Sequence, residues 1–259
     1  MITNPLSAQR KFYSHHNQDE WVIQRALPGK SGGWFIDAGA GPDGIDGSNS
    51  YALESQLGWT GLLVEPHPEC YAQVRRNRSA IVEQCCLTDS FGEVEFVLHE
   101  WSGLSSITQY LSEPNFVAAR YDRMDFQKVR VPSAPLWELL RRHRAPPVIE
   151  YMSLDIEGAE WVALKDFPFD EFRILCMTIE RGGNSYNKLR AMLRVKGYRV
   201  VRVHGPDDFY VHASVKYRMS LGEQVDTALR SFWNMLYFRE PMLTVRRIAR
   251  WVRRSLRGH

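Results

Sequence analysis

Two patterns of apolar and polar positions alternate along the chain. Short apolar runs bounded by turn residues, which are typical of buried strands, are followed by stretches with the spacing of amphipathic helices. We expect strands at residues 34–36, 61–65, 80–87, 93–98, 129–131, 148–155, 174–180, 198–203 and 208–213. We expect helices at residues 48–57, 69–78 and 136–142, from residue 159 onward, and at 186–196.

This succession of strands and helices predicts an α/β fold. Consecutive β-α units form a mostly parallel sheet with helices on both faces, and the last two strands are expected to form a C-terminal antiparallel hairpin. Ligands of such sheets bind outside the carboxyl ends of the strands, near the point where strand order reverses. Residues that directly follow a predicted strand are therefore the candidates for function.

Three segments of the chain differ in composition. We expect an N-terminal helical or cap segment at residues 1–30, the α/β domain at 31–215 and a basic amphipathic tail at 216–259. The 259 residues are 44% hydrophobic and 24% charged, which suits one substantial core. The net charge of +3 is too small to indicate nucleic acid as a partner.

Cysteine usage and hydropathy bear on location. The four cysteines lack the paired spacing of a metal site, so we expect a reduced, cytoplasmic protein. The N-terminus has no basic region followed by an apolar stretch, so no signal peptide is expected. No run of about eighteen apolar residues indicates a membrane-spanning helix.

The first predicted strand ends in a glycine-rich turn. Residues 39–44, Gly-Ala-Gly-Pro-Asp-Gly, match the GxGxxG pattern of nucleotide-binding turns, although a purely structural turn would give the same letters. Glu65 ends the next strand, where a carboxylate can bind both ribose hydroxyls of an adenosine. Adenosine is common to nicotinamide cofactors and S-adenosylmethionine, so this pair of features does not separate them.

Asp37 distinguishes between the two cofactors. A carboxylate at the tip of the first strand would repel a pyrophosphate but attract the ammonium and sulfonium groups of S-adenosylmethionine. The following helix begins late, near Ser48, which leaves a wide loop in place of the tight turn that holds a pyrophosphate. The pattern therefore favours a methyl donor. At the end of the third strand, Thr88 and Asp89 could reach the adenine amino group, with a plain turn as the alternative for Asp89.

Acidic residues follow two later strands. Asp155 and Glu180 end the strands 148–155 and 174–180, and Glu157 begins the helix between them. If the strands are neighbours, their tips lie about 4.8 Å apart. The converging carboxylates could deprotonate a substrate hydroxyl, bind sugar hydroxyls, or hold Mg²⁺ or another divalent cation, with Asp155 and Glu180 as ligands. For Glu157, and for Glu160 after it, a favourable charge at a helix N-terminus is the alternative.

Histidines are further candidates for a general base. His15, His16 and His204 are considered, although a single histidine is more often structural than catalytic. His15 and His16 gain weight from the polar Gln18-Asp19 pair that follows them, and we take His15 as the catalytic candidate.

A series of short motifs runs through most of the chain. They are residues 13–20 (YSHHNQDE), 35–40 (FIDAGA) with 43–44 (DG), 48–49 (SN), 58–61 (GWTG), 64–68 (VEPHP), 105–106 (SS) and 153–158 (SLDIEG). In this order the motifs resemble the FkbM family of S-adenosylmethionine-dependent methyltransferases, over residues 12–213. The resemblance implies a Rossmann-like class I methyltransferase fold and O-methylation, often of sugars in glycolipids, polysaccharides or glycosylated natural products. The family's first motif usually lacks the extra Gly41-Pro42, so the loop here is expected to be longer.

The motifs and strand ends together give the expected site. The residues expected to bind S-adenosylmethionine are Gln18, Asp37, Gly39, Gly41, Ser48, Asn49, Glu65, Pro66, Thr88, Asp89 and Asp155. Those expected to be catalytic are Asp155, Glu157, Glu180 and His15. The irregular segment 99–125 is long enough to be a substrate lid, whose Trp101, Tyr110 and Tyr121 could stack on a sugar or pack locally.

The C-terminal segment is strongly basic. Residues 239–259 contain seven arginines and one glutamate, with apolar residues between them near helical spacing. This pattern is typical of an amphipathic helix on an anionic membrane surface, here the inner face of the membrane, within reach of a lipid-linked sugar acceptor. A helix packed on the main domain and a nucleic-acid contact are the alternatives.

These features predict an O-methyltransferase that acts on a sugar hydroxyl of a glycan, a glycolipid or a glycosylated metabolite. One alternative is an O-methyltransferase of a small non-glycan metabolite. The other is a non-catalytic, membrane-associated binding protein on the same scaffold, because some FkbM relatives act as adaptors and a fold does not by itself establish turnover.

Overall fold

The structure, a computed structural model, describes residues 10–98, 105–110, 127–182 and 185–239. Its strands are β1 (Trp34–Ala38), β2 (Thr60–Val64), β3 (Ile81–Glu83), β4 (Cys86–Leu87), β5 (Gly92–Leu98), β6 (Ser106–Ile107), β7 (Gln127–Ala134), β8 (Val148–Leu154), β9 (Arg173–Glu180), β10 (Tyr198–His204) and β11 (Asp207–His212). Its α-helices are α1 (Gln18–Trp21), α2 (Tyr51–Leu57), α3 (Pro68–Asn77), α4 (Leu136–Arg142), α5 (Glu160–Leu164), α6 (Tyr186–Val195) and α7 (Leu221–Arg239). A π-helical turn (Val22–Ala26) continues α1, and a 3-10 turn (Thr108–Tyr110) follows β6.

The larger sheet has seven strands in the order β10-β11-β9-β8-β1-β2-β3. The pairs β1-β2, β1-β8, β2-β3 and β8-β9 are parallel, whereas β11 is antiparallel to both β10 and β9. The mixed α/β fold with a large, mostly parallel sheet is confirmed. Strand order reverses at β1, which lies between β2 and β8, so the carboxyl end of β1 is where a ligand of such a sheet is expected.

Side-chain alternation along β1 divides the core in two. Ile36 points into a core that contains residues of α4, α5 and α6, and Phe35 points into another that contains residues of α1, α2 and α3. Both side chains are fully buried. Helices therefore cover both faces of the sheet, as the strand and helix pattern predicts.

A second sheet was not predicted. Its four strands have the order β4-β7-β5-β6, and β5 is antiparallel to both of its neighbours. The apolar run 80–87, predicted as one strand, is divided between the two sheets. β3 pairs with β2, and after Gln84 and Cys85 the chain turns so that β4 pairs with β7. Local hydrophobicity carries no signal for this change of partner, because both halves are apolar.

The N-terminal segment packs directly on the sheet. Trp21 is 2% exposed, and its ring centroid lies 5.0 Å from that of Phe209 on β11. Its indole N–H donates to the Tyr217 hydroxyl at 3.1 Å. Residues of α1 and its π-helical continuation thus belong to the same core as Phe35.

Several predictions concern residues outside the described ranges. Of the expected lid, 99–125, the structure describes residues 105–110, and Trp101 and Tyr121 lie outside the described residues. Tyr110 packs beside β5 against a small core, in line with the local-packing alternative. The arginine-rich residues that follow α7 also lie outside the description. Within the described ranges, no helix combines the length and the hydropathy needed to cross a membrane.

Candidate functional site

A cleft of about 990 Å³, including its open mouth, lies at the carboxyl ends of β1, β2 and β8. Its position is the one that the reversal of strand order predicts. The residues that line it are His15, Gly39, Ala40, Gly41, Pro42, Asp46, Gly47, Ser48, Asn49, Val64, Glu65, Pro66, Cys85, Cys86, Leu87, Phe96, Ser105, Ile107, Asp155, Ile156, Glu157 and Ala159.

The turn after β1 forms one edge of the cleft. Gly39 has φ +84°, and a Cβ atom there would lie 1.9 Å from the carbonyl oxygen of Asp155. Gly41 has φ +79°, and a Cβ atom there would meet nothing within 4 Å. Only glycine adopts such φ values readily, so both positions need it, but for different reasons. Gly39 lets the ends of β1 and β8 meet, whereas Gly41 leaves the cleft open.

Glu65 lies at the end of β2 and is 5% exposed. Its Oε1 accepts a hydrogen bond from the His67 backbone N–H at 2.9 Å, and its Oε2 accepts one from the Gly41 N–H at 3.1 Å. Burial raises the pKa of Glu65 to about 8, although both backbone hydrogen bonds oppose the rise. The carboxylate is thus fixed in orientation at the cleft wall, with an acceptor lone pair left on each oxygen.

Asp37, expected to bind the cofactor, is not among the residues that line the cleft. It is 1% exposed, and its Oδ2 accepts a hydrogen bond from the Ser50 hydroxyl at 2.5 Å. The buried Arg78 guanidinium donates to the same hydroxyl at 2.9 Å. Burial raises the pKa of Asp37 to about 6, and the charge of Arg78 opposes the rise. Because Asp37 points to the face of the sheet that Phe35 shares, it braces the loop before α2 from beneath.

Three carboxyl groups converge on the opposite side of the cleft, at the ends of β8 and β9. Ligand oxygens of Asp155, Glu157 and Glu180 all lie within 4.8 Å of one another. Asp155 and Glu157 line the cleft, and Glu180 lies behind them. Asp155 and Glu180 were expected to converge only if their strands are neighbours. The structure pairs β8 with β9 and so meets that condition.

Burial and mutual repulsion oppose the simultaneous ionisation of all three carboxyl groups. Desolvation raises the pKa of each, that of Glu157 to about 9. The negative charges around Glu180 raise its pKa further, whereas a hydrogen bond with Glu180 and the nearby His16 and His15 lower that of Asp155. The hydrogen bond between the two groups therefore favours the arrangement in which Glu180 donates its proton to Asp155, although burial still raises the pKa of both. An ionised carboxylate facing the cleft is suited to accept a proton.

Neighbouring polar residues position this group. Glu160 is 2% exposed, and its Oε1 accepts hydrogen bonds from the backbone N–H groups of Ile156 and Gly158 at 3.2 and 3.1 Å. It therefore fixes the turn before α5, as its structural alternative predicts. Asp19 likewise fixes the loop that carries His15, because it accepts hydrogen bonds from the Tyr13 N–H at 2.7 Å and from Ser14.

Some of the remaining candidate residues line the cleft and others do not. Ser48, Asn49, Pro66 and His15 line the cleft. The Asn49 amide is held by the Ser153 hydroxyl, to which it donates at 2.8 Å. His16 and His204 pack against each other outside the lining, with ring centroids 6.2 Å apart.

Besides Asp37, three expected donor-binding residues lie away from the cleft. The Gln18 amide donates to Asp207 at 2.6 Å and accepts from the His16 N–H, so both of its ends are used within the protein. Thr88 donates to the Ser90 carbonyl at 2.8 Å, and Asp89 pairs with Lys165 at 2.6 Å. The turn alternative therefore fits Asp89, because the side chain is bonded on the surface.

An apolar wall takes the place expected for Thr88 and Asp89. Cys86 and Leu87 of β4, with Phe96 and Ile107 of the second sheet, line this side of the cleft and are buried. Sequence reasoning missed these residues because they reach the cleft through the second sheet. The pattern predicted strands at Cys86, Leu87 and Phe96 but not what they would face, and Ile107 lay in the segment 99–125 that was expected to be irregular.

The charged residues of the cleft lining have one sign. Asp46, Glu65, Asp155 and Glu157 are acidic, and the lining described by the structure includes no lysine and no arginine. Arg78, the nearest buried cation below the loop, is engaged by Glu54 at 2.7 Å and by hydroxyls under the loop. The cleft is therefore electrostatically better suited to a cationic ligand than to a phosphorylated one.

Comparison with known proteins adds the following. The model of the methyltransferase FkbM domain family matches residues 37–200, which is more than half of the chain. The chain is also similar to two solved structures, "Human methyltransferase 10 domain containing protein" and "delta-N METTL16 MTase domain". Each is 12% identical to it, with 76% of this chain and 80% of that chain covered and a TM-score of 0.40, too low to bear on activity. Among curated proteins, none matches.

Proposed function

The chain belongs to the FkbM methyltransferase family, and from this premise we propose that it is an S-adenosylmethionine-dependent O-methyltransferase. The proposed acceptor is a sugar hydroxyl of a glycan, a glycolipid or a glycosylated metabolite. The proposed fold is the Rossmann-like class I fold, which is supported by the reversal of strand order at β1 and the hairpin of β10 and β11.

The charge of the cleft is the observation that carries the proposal. Its lining holds four carboxyl groups and, among described residues, no lysine or arginine. A pyrophosphate would leave its charges without partners there, whereas a sulfonium and an ammonium group would be attracted. Asp155, whose ionised form the Glu180 hydrogen bond favours, contributes to this field, and a cationic ligand would lower the raised pKa values of Glu65 and Glu157 and so add their charges. Asp37 does not contribute in the same way, because it faces Arg78.

The lining also fits an adenosine. Glu65 presents two fixed acceptor oxygens, which suit a pair of ribose hydroxyls. Gly41 leaves open space beside them, and the wall of Cys86, Leu87 and Phe96 suits a planar base. When bound, S-adenosylmethionine supplies an electrophilic methyl carbon. Glu65 and the apolar wall would hold the cofactor, and His15 and Asn49 also line the cleft.

The carboxyl cluster would activate the acceptor. Asp155, ionised and hydrogen-bonded by Glu180, is the group proposed to take the proton of the acceptor hydroxyl. Glu157 beside it would hold a neighbouring hydroxyl, because a carboxyl group with a pKa of about 9 can donate as well as accept. A polyol, which offers several hydroxyls close together, matches such a set better than an isolated alcohol does. This reasoning supports a sugar as the acceptor.

A divalent cation is the alternative role for the same cluster. Oxygen ligands of Asp155, Glu157 and Glu180 lie within 4.8 Å of one another, and carboxylates suit Mg²⁺ or Ca²⁺. A bound cation would acidify the hydroxyl in place of Asp155. Exhaustive chelation separates the two roles: unchanged turnover assigns the proton to Asp155, and loss of turnover that Mg²⁺ restores assigns it to the metal.

The donor is tested by calorimetry with S-adenosylhomocysteine and with NAD on the full chain. We expect uptake of the former and none of the latter, and tight binding of NAD with indifference to S-adenosylhomocysteine would overturn the proposal. The acceptor is tested with a methyl-labelled donor against sugars, lipid-linked glycans and small non-glycan metabolites. Label on a sugar oxygen is expected. Label on non-glycan metabolites alone would move the protein to that acceptor class, and donor binding without transfer to any acceptor would indicate a binding protein.

A further inference from the structure

Helix α7 carries its apolar side chains on the outside of the molecule. Large apolar residues recur along it at spacings of three and four, so they share one face. They are exposed as follows: Leu221 77%, Val225 51%, Leu229 56%, Phe232 52%, Trp233 62% and Met235 42%. We refer to these six residues as the α7 apolar face.

The side of α7 that meets the domain is polar instead. Thr227 and Ser231 are each 8% exposed, and the Thr227 hydroxyl donates to the carbonyl of Val201 on β10 at 3.2 Å. Glu223 forms an ion pair with Arg25 at 2.8 Å. A surface helix normally buries its apolar stripe and exposes its polar one. The reversed order in α7 leaves six exposed apolar side chains on one face, and contiguous apolar surface of this kind marks a binding surface.

The sequence that follows α7 indicates what binds there. Residues 240–259 contain six arginines and one glutamate, interleaved with Leu243, Ile248, Trp251 and other apolar residues. Arginines beside an apolar face, with tryptophans among them, are the chemistry of a protein that lies on an anionic lipid surface. We propose that the α7 apolar face inserts into the interfacial region of an anionic phospholipid membrane, whose charge is complementary to the arginine-rich sequence that follows α7.

Charge favours lipid over a second copy of the chain as the occupant. Each copy carries a net charge of +3, with six arginines and one glutamate in residues 240–259, so association of two copies brings like charges together. An anionic surface instead neutralises the arginines while the apolar face leaves water. Because this inference depends on α7 and not on the cleft, it stands or falls independently of methyl transfer.

The test is co-sedimentation of the full chain with phosphatidylcholine vesicles, with and without an equal part of phosphatidylglycerol. We expect binding only to the anionic vesicles, weakened by added salt. The double substitution Leu229→Ser with Trp233→Ser should weaken binding roughly tenfold or more, because it removes two large apolar side chains from the interface. The matched control is Phe91→Ser with Val195→Ser, which removes apolar side chains that are 57% and 85% exposed outside α7. This control should bind as the unsubstituted chain does.

Three outcomes would overturn the proposal. They are equal binding to neutral and anionic vesicles, equal loss in the two double variants, and a homodimer that the α7 double variant converts to a monomer. Amide hydrogen exchange on the unsubstituted chain covers the case in which a variant fails to fold. Anionic vesicles should slow exchange within 221–235 while leaving the sheet unchanged, and exchange in α7 that is indifferent to vesicles would also end the proposal.

Discussion

At the scale of single residues, carboxyl groups on the two sides of the cleft differ in what holds them. Glu65 is fixed by two backbone N–H groups, which orient it and oppose the rise of its pKa to about 8. Asp155 is hydrogen-bonded to the carboxyl group of Glu180, and this bond favours the ionised, proton-accepting form of Asp155. The first arrangement suits binding and the second suits proton transfer, and the two roles can be separated by substitution.

Replacing Glu65 with alanine should weaken binding of S-adenosylhomocysteine about 10- to 100-fold, because two hydrogen bonds to a charged acceptor are lost. Calorimetry on the full chain measures the change. Glu69→Ala is the control, since it removes an exposed carboxylate four residues away. Affinity within about twofold of the unsubstituted chain for Glu65→Ala would show that Glu65 does not hold the donor.

Replacing Asp155 with asparagine keeps the shape of the side chain but removes the proton acceptor. We expect kcat to fall about 10²- to 10⁴-fold, the usual contribution of a general base, while affinity for S-adenosylhomocysteine changes little. Asp166→Asn, which changes an exposed acid near the end of α5, should leave both quantities unchanged. Lost donor affinity with unimpaired kcat in Asp155→Asn would reverse the assigned roles.

At the scale of elements, the turn after β1 shows that one glycine pattern serves two purposes. Gly39 and Gly41 both have positive φ, but only Gly39 has a neighbouring strand where its Cβ would be. The Asp155 backbone N–H donates to the Ala38 carbonyl at 3.0 Å, so β1 and β8 stay in contact past their last paired residues. This contact delivers Asp155 to the cleft.

Substituting each glycine with alanine should separate these purposes. Gly41→Ala should cost about 1 kcal/mol in the free energy of unfolding, since only backbone strain is added. Gly39→Ala should cost about 3 kcal/mol or more, because its Cβ would overlap the Asp155 carbonyl. Urea unfolding measures both. Equal losses would mean that the contact between β1 and β8 is not tight.

At the scale of the whole molecule, the fold holds several carboxyl groups in positions that oppose ionisation. Burial raises the pKa of Asp207 and of Glu160 to about 7, of Glu65 to about 8 and of Glu157 to about 9. Because the fold buries these groups, the free energy of unfolding of the ligand-free chain is lower at high pH. A cationic ligand in the cleft would offset this cost by favouring the ionised forms.

The thermal midpoint of the ligand-free chain should therefore fall as pH rises. Carboxyl groups in the unfolded chain lose their protons at about pH 4. Groups with raised pKa values keep their protons in the folded state up to about pH 7–9, so the unfolded state binds fewer protons than the folded state does. Stability therefore declines from about pH 4 up to about pH 7–9. Glu157→Gln should reduce the fall between pH 7 and 9 by roughly 4 °C, whereas Glu69→Gln should not change it. Midpoints followed by circular dichroism give the comparison, and parallel curves for Glu157→Gln and the unsubstituted chain would contradict the assignment.

The sequence by itself determined the elements and the chemistry that follows them. Short apolar runs located the strands of the larger sheet, and the acids Glu65, Asp155 and Glu180 were identified because each ends such a predicted strand. These features can be predicted because they depend on residues that are close together along the chain, where spacing maps directly onto side-chain direction. The family resemblance, carried by the same short motifs, was confirmed for the same reason.

The tertiary structure alone decided which of these side chains face the cleft. Asp37 turned out to brace a loop beside Ser50 and Arg78, and Gln18 bonds Asp207, which is 189 residues away. The division of residues 80–87 between two sheets and the outward apolar face of α7 have the same origin. Each depends on partners brought together by long-range packing, and the hydrophobic effect that drives such packing is non-directional, so the local pattern does not specify the partner.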